Sequence, residues 1–428
     1  MNEGAARQVV LVSNGPGELC TWVRPTLDAL RRLDPDVRVA IALIPCQFAG
    51  GAESAMARTF GADAVTTPQE YVRAAATGRA PAALRVGGGG VVVSMGGNGA
   101  LAVSLARRLG VPAVRYSFVP YFARGLRRLF VHDEAVRRKA RLLGVSGDKV
   151  EVIGNLVADA VHAADPIVGP GDPHVLLLAG SRDAFALHLI PFMIKVADTL
   201  APRYPGARFV WPVSRLLSEE TIAAGIAGRE AATLGGVAGT RDGDLVRAPG
   251  GATIEMVPEE ARHAHMRAAT TAVTIPGTNT LELGIAGVPS VVMLPLNRPE
   301  IIPLEGPGHW LSLLPFVGTP LKRHAVRLFV ERLRYPVSLP NQFSGETLMT
   351  EIKGVVDPEG VARSVADLID DTPERERRSA RLRATMPAAG AAERLVRRVY
   401  AEAGWPEPAR AVTAPADALR SDVDAGAR

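Results

Sequence analysis

Short β-branched runs, each closed by a Gly-, Pro- or Asn-rich turn and followed by a helical stretch, recur along this chain. Gln8–Ser13 (QVVLVS) opens the series and ends at Asn14-Gly15-Pro16-Gly17-Glu18, ahead of a helical segment Thr21–Leu33. Val37–Leu43, Ala64–Thr67 and Val91–Ser94 repeat the pattern, the last ending at Met95-Gly96-Gly97-Asn98-Gly99 before helix Ala100–Leu109. Pro112–Ser117, Arg127–Val131 and Val150–Ile153 follow. Continuous apolar runs of this length read as strands buried on both faces. Alternation with helices implies βαβ units and a parallel sheet.

The alternation halts at Asp165–Pro173 (DPIVGPGDP), whose prolines and glycines predict a linker. It then restarts with strand His174–Leu178, turn Ala179–Asp183, helix Ala184–Ala201, strand Arg208–Trp211 and helix Leu217–Gly228. Gly235–Gly251 is charged and glycine-rich and reads as an exposed loop. Strand Ala252–Met256, helix Glu259–Ala268, strand Thr270–Ile275 and strand Ser290–Leu294 continue the series. Val337–Pro340 reads as a short strand, and helices at Pro358–Ile369, Thr372–Met386 and Ala389–Ala403 complete it. The expected division is 1–165, 166–388, a helix at 389–404 returning to the N-terminal domain, and a disordered tail at 405–428.

Two doubly wound halves leave three architectures: a two-domain dehydrogenase, a periplasmic-type binding protein, or a GT-B glycosyltransferase with its domains facing a cleft. No G-x-G-x-x-G follows the first strand, and the Gly87–Gly90 run precedes a strand, which disfavours the first. No signal-type segment opens the chain, which disfavours the second. The net charge of +5 over 428 residues suits anionic small molecules or an anionic membrane surface and is too weak for nucleic acid. Two cysteines, Cys20 and Cys46, form no disulfide framework and have no metal-ligand companions, so a cytoplasmic, reducing compartment is expected. No apolar run reaches the roughly 18 residues of a membrane span. The proline-rich stretch Asn297–Leu321 mixes aliphatic and aromatic residues, includes His309, and precedes basic Lys322, Arg323 and Arg327. It reads either as an irregular core loop or as peripheral contact with the inner face of the cell membrane.

Chemistry concentrates at turns where strands end and helices begin. Leu178-Ala179-Gly180-Ser181-Arg182 offers a close backbone approach at Gly180, a capping hydroxyl at Ser181 and a guanidinium at Arg182. Thr274–Glu282 (TIPGTNTLE) pairs a Pro-Gly turn with hydroxyls and amides at the start of a helix, an anion site in waiting. Glu282, one turn in, can accept hydrogen bonds from vicinal sugar hydroxyls.

These turns occur in an order that resembles lipid-A-disaccharide synthase and its relatives, GT-B glycosyltransferases that use a nucleotide sugar. Ser13–Glu18 resembles the S-N-G-H-G-E opening of the synthase-related branch, with Pro16 in place of His. Gly154-Asn155-Leu156-Val157-Ala158-Asp159 resembles G-[HN]-P-x-x-D, and Leu177–Arg182 resembles L-L-P-G-S-R with Ala179 for Pro. Pro276–Glu282 resembles S-G-T-A-T-L-E, Ser338–Asn341 matches S-L-P-N, and Glu351 follows ten residues later as in that family. The resemblance spans about Val9–Ala403.

It implies a UDP-sugar donor bound by the second domain and an acceptor bound by the first. Gly180, Ser181 and Arg182 would approach the diphosphate, with Gly277, Thr278, Asn279 and Thr280 adding helix-terminus donors. Glu282 would take the ribose hydroxyls and Asn341 the nucleotide sugar. Asn14, Gly15, Gly17 and Asn155 would line the acceptor side. No metal and no cofactor beyond the donor is implied, and no D-x-D motif is present.

One departure bears on catalysis. The family carries D-A-P-D-F-N where this chain has Met95–Gly99, a turn without a carboxylate. Asn98 can orient a substrate but cannot act as a base, which leaves Glu18 as the general base. His132-Asp133 ends a strand near the same edge and is assigned a structural or capping role. The expected activity is hexosyl transfer from a UDP-sugar to a lipid-linked or glycolipid acceptor. The alternatives are a UDP-N-acetylglucosamine 2-epimerase-like enzyme and a non-catalytic nucleotide-sugar-binding relative.

Overall fold

A computed structural model describes residues 7–45, 53–85, 89–167, 169, 171–297 and 335–408. Cys46, most of Asn297–Leu321 with His309, and the tail beyond Pro408 lie outside them. The chain forms two compact units, residues up to Leu156 with those from Gly390 onward, and Val157–Ala389.

Unit 1 is a seven-stranded sheet of β1 (Gln8–Ser13), β2 (Arg38–Leu43), β3 (Ala64–Thr66), β4 (Gly90–Met95), β5 (Ala113–Ser117), β6 (Arg128–Val131) and β7 (Val150–Val152). Its order is β3-β2-β1-β4-β5-β6-β7, parallel throughout, with Gln8 opposite both Arg38 and Gly90. Alternate residues of β1 feed two cores. Val9 and Leu11 pack with helix Ala391–Ala403, while Val10 and Val12 pack with helix Gly99–Leu109. That double burial is why the strands read as unbroken apolar runs. The last helix belongs to this unit through buried Leu395, Val396, Val399 and Tyr400, and the Tyr400 hydroxyl donates to Asp34 at 2.8 Å.

Unit 2 contains β8 (His174–Leu177), β9 (Arg208–Val213), β10 (Thr240–Asp242), β11 (Leu245–Arg247), β12 (Thr253–Pro258), β13 (Thr271–Thr274), β14 (Ser290–Pro295) and β15 (Thr350–Gly354). The order is β10-β11-β12-β9-β8-β13-β14-β15, with β10 and β11 antiparallel at one edge. Long helix Asp183–Leu200 lays Leu189, Ile190, Phe192, Met193 and Val196 on one face, against Val175 and Leu177.

In each unit the strand order reverses beside the first strand. β1 sits between β2 and β4, and β8 between β9 and β13. Successive helices leave in opposite directions at such a point, which opens a crevice at the strands' carboxyl ends.

Four expectations change. The segment Gly235–Gly251 holds a hairpin whose two-residue turn is Gly243-Asp244, with Gly243 in the left-handed region (φ 61°) that such tight turns require. Leu339–Ser344 is helical rather than extended, because Ser338 takes the N-cap position and Pro340 a first-turn position where no N–H is needed. The unit boundary falls after Leu156, which packs in the core of unit 1, whereas the residues from Val157 onward group with unit 2, where Ile167 N–H donates to the Ala264 carbonyl. Residues 405–408, expected to be disordered, are engaged: Trp405 meets the Tyr400 ring edge-on at 5.1 Å, and Glu407 pairs with Arg397 at 2.8 Å.

Candidate functional site

The turn after β8 and the turn after β13 are neighbours because their strands pair directly. Leu178 N–H donates to the Val273 carbonyl at 2.9 Å. Gly180 adopts φ 82° against Ile275, a left-handed conformation that favours glycine. The chain then turns through exposed Ser181 and Arg182 into an 18-residue helix starting at Asp183. Among the described residues the Arg182 guanidinium has no partner. Beside it, Gly277 and Thr278 are exposed and Asn279 half-buried at the start of helix Thr278–Ala286. Two helix N-termini and one unengaged arginine thus meet at the reversal point of the sheet, where N–H groups and helix dipoles favour an anion.

Not every residue of these motifs is open to a ligand. Thr280 is buried, donates to the Gly277 carbonyl at 2.8 Å and accepts from Leu339 N–H at 3.2 Å, so it braces the turn. Asn341 is also buried, and its amide is saturated. Its Nδ2 donates to the Met349 carbonyl and to Glu351, while Oδ1 accepts from Leu348 and Met349 N–H. With two donors and two acceptor sites used, it has nothing left for a nucleotide sugar. Glu351 completes this bracket by accepting from Val337 and Ser338 N–H.

Glu282 sits behind the Pro-Gly turn at 1% exposure. Its Oε1 is held by Arg262 at 2.8 Å and His263 at 3.3 Å, and Arg262 in turn pairs with Glu259 at 2.8 Å. Burial raises its pKa, but Arg262 and His263 outweigh that and hold the carboxyl below the usual glutamate range. Oε2 is buried and has no hydrogen-bond partner among the described residues, which is costly for a carboxylate unless something else satisfies it. Arg262 and His263 were missed in the sequence. Their signal was the Arg-His pair at the start of the helix that follows β12.

In unit 1 the turns after β1 and β4 meet in the same way. The Glu18 side chain folds back over Gly15, and a Cβ placed on Gly96 would fall 3.1 Å from Asn14 Oδ1 and 3.2 Å from Glu18 Cγ. Gly96 (φ 114°) and Gly97 (φ 58°) have no side chains to fill that approach. Asn14 Oδ1 is buried and unpartnered, and Glu18 is half-buried. Gly17 is exposed beside them. Asn98 caps helix Gly99–Leu109, its Oδ1 accepting from Ala100 N–H at 3.0 Å. Asn155 is wholly buried just beyond β7. Asp133 caps the helix after β6 by accepting Val136 N–H at 2.7 Å, and burial lowers the pKa of His132.

No family model matches the sequence, and neither does any curated protein. Solved structures do match the fold. A Listeria monocytogenes protein provisionally assigned as a UDP-N-acetylglucosamine 2-epimerase aligns over 95% of this chain and 99% of its own, with TM-score 0.52 and 12% identity. A second UDP-N-acetylglucosamine 2-epimerase gives 94% and 99% coverage, TM-score 0.53 and 12% identity. S. aureus MnaA, solved with UDP, gives 94% and 99% coverage, TM-score 0.50 and 13% identity. At such identities the likeness is one of fold, and it fixes the class: this chain has the GT-B fold of two Rossmann-like α/β domains.

Proposed function

We propose that the chain is a UDP-sugar enzyme that binds its donor through unit 2 and transfers the sugar to an acceptor carried by unit 1. One observation carries the donor half. Glu282 is buried and locked by Arg262 and His263, yet among the described residues one of its carboxylate oxygens stays unpaired, one turn into the helix that starts at Thr278. A ribose diol donating to Oε2 satisfies it, while the diphosphate takes Arg182, Ser181 and the N–H groups at Thr278 and Asn279. The solved UDP-sugar enzymes that share the fold support the same ligand class.

For the reaction, glycosyl transfer requires one base. Glu18 removes the acceptor hydroxyl's proton, the oxygen bonds the anomeric carbon, and the bond from that carbon to the diphosphate oxygen breaks. UDP leaves with the electron pair, its charge met by Arg182. The acceptor we assign is a lipid-linked sugar or glycolipid. This rests on the sequence resemblance to lipid-A-disaccharide synthases and on the apolar, then basic, composition of 297–334. Among the described residues no helix is long and apolar enough to cross a membrane.

Epimerisation at the sugar's second carbon is the competing reading, and the solved neighbours named as 2-epimerases favour it over transfer. Against it stands the β4 turn, where Met95–Gly99 supplies no acid beside Glu18. Incubating the protein with UDP-GlcNAc, with and without membrane lipid extract, separates the readings. UDP released only with lipid supports transfer, an epimeric sugar supports epimerisation, and binding without either product supports a non-catalytic role. Glu18→Gln should abolish turnover and spare UDP binding; unchanged turnover removes Glu18 from the mechanism.

A further inference from the structure

Arg115 lies on β5 and is 5% exposed. Among the described residues no carboxylate pairs with it. Its guanidinium donates to Ser94 Oγ at 3.5 Å and to the Gly97 carbonyl at 3.1 Å, and among the described residues its Nε has no partner. Tyr121, half-exposed on the loop after β5, lies with its ring 5.8 Å away. Burial pulls its pKa down from the ordinary arginine range, with Tyr121 the one other group acting on it. A buried cation left in this state is expensive, and proteins ordinarily answer it with a carboxylate.

A Cβ on Gly99 would fall 2.5 Å from Arg115 Nη1, so the absence of a side chain at the head of helix Gly99–Leu109 lets the guanidinium lie against that terminus. The helix runs 11 residues and brings its positive end to the same place. Two like-signed features converge on one spot beneath a tyrosine lid, beside the turn that bears Gly96, Gly97 and Glu18.

The geometry points to an anion-binding site in unit 1, with Arg115 and the N-terminus of helix Gly99–Leu109 receiving a phosphate or carboxylate group of the acceptor. Arginine has five N–H donors and two are engaged here, which leaves Nε and one hydrogen on each terminal nitrogen for a two-pronged contact with an oxyanion. Assigning the anion to the acceptor rests on the transfer reading above. The site itself does not.

The test uses the full chain, 15N-labelled and saturated with UDP, titrated with inorganic phosphate or with acetate at constant ionic strength. One arginine Nε–H resonance, absent in Arg115→Lys, is expected to move and saturate, and the probe that saturates at lower concentration names the group as phosphate or carboxylate. Immobility of that resonance with both anions overturns the proposal. If Arg115→Lys does not fold, Arg115→Gln provides the assignment. If neither folds, the wild type decides alone, because no Nε–H resonance moving saturably with either anion overturns it equally. UDP affinity is read in the same samples, so a protein that fails to bind UDP but shifts at Arg115 refutes the donor reading and keeps this site. In the transfer assay the favoured anion should compete with acceptor and not with UDP-sugar; competition with UDP-sugar alone overturns the assignment to the acceptor.

Discussion

Glu282 is buried in an ion-pair cluster and, in the proposed function, also meets the ligand. Its Oε1 holds Arg262 and His263 in a region where Arg262 is only 13% exposed, so the charge pair is close to fully desolvated. Glu282→Gln leaves that guanidinium with one buried carboxylate, Glu259, instead of two. We expect a loss of about 3 kcal/mol in unfolding free energy, the usual scale for breaking a buried pair. The same variant should weaken UDP binding, and chemical denaturation with calorimetric titration reads both. Retained stability would mean that the pair adds nothing net. The chemical type of this residue was legible in the sequence, since a carboxylate one turn into a helix after a Pro-Gly turn invites a diol. Its locking partners were not, because nothing in sequence spacing tells that the start of the helix after β12 is folded against the first turn of the helix after β13.

At the scale of elements, strands and their turns were readable because a parallel sheet buried on both faces leaves unbroken β-branched runs. Asn341 marks the limit of that reading. The motif around it pointed to a ligand, whereas the fold spends all four of its hydrogen bonds tying helix Leu339–Ser344 to β15. Asn341→Ala should therefore lower stability by about 2 kcal/mol or more, by stranding buried backbone groups. UDP affinity measured on the folded fraction should stay within about twofold, the effect expected of a residue outside the contact set. A selective loss of UDP affinity would restore the ligand role.

The opposite end of unit 2's sheet supplies a pH dependence. His174, at the start of β8, and His265 face each other at 3.4 Å and are both buried. Burial first, then the neighbouring imidazole and Arg208, bring the His174 pKa down from 6.5 to about 4. The unfolded chain therefore binds a proton between those values while the fold does not. Stability is complete above pH 6.5 and falls as pH drops toward 4, by about 3 kcal/mol from this residue. Urea unfolding from pH 7 to pH 4 checks the slope, and a flat profile would contradict the buried neutral pair.

Over the whole molecule the two units repeat one device, a sheet reversal with glycine-bearing turns at the strands' carboxyl ends. Unit 2 equips it for an anion, with Gly180-Ser181-Arg182 beside Gly277-Thr278-Asn279. Unit 1 equips it with a carboxylate, Glu18, over a glycine turn. The alternation of strands and helices carried this much of the architecture in the sequence. It carried less about boundaries, since the proline-rich stretch at Asp165–Pro173 lies beyond residues that already pack on unit 2. It was silent on Arg115, because a lone arginine in a short strand has the same local pattern whether it faces solvent or core.

Calorimetric titration of UDP into the wild-type protein and into Arg182→Ala tests whether unit 2 binds the nucleotide through its paired turns. Arg182 is exposed and has no partner among the described residues, so its loss should leave the fold intact. Binding should be saturable and one-to-one in the wild type and about tenfold or more weaker in the variant, as expected for a charge-assisted contact to a diphosphate. Equal affinity in both proteins, or no UDP binding by the wild type, would contradict it.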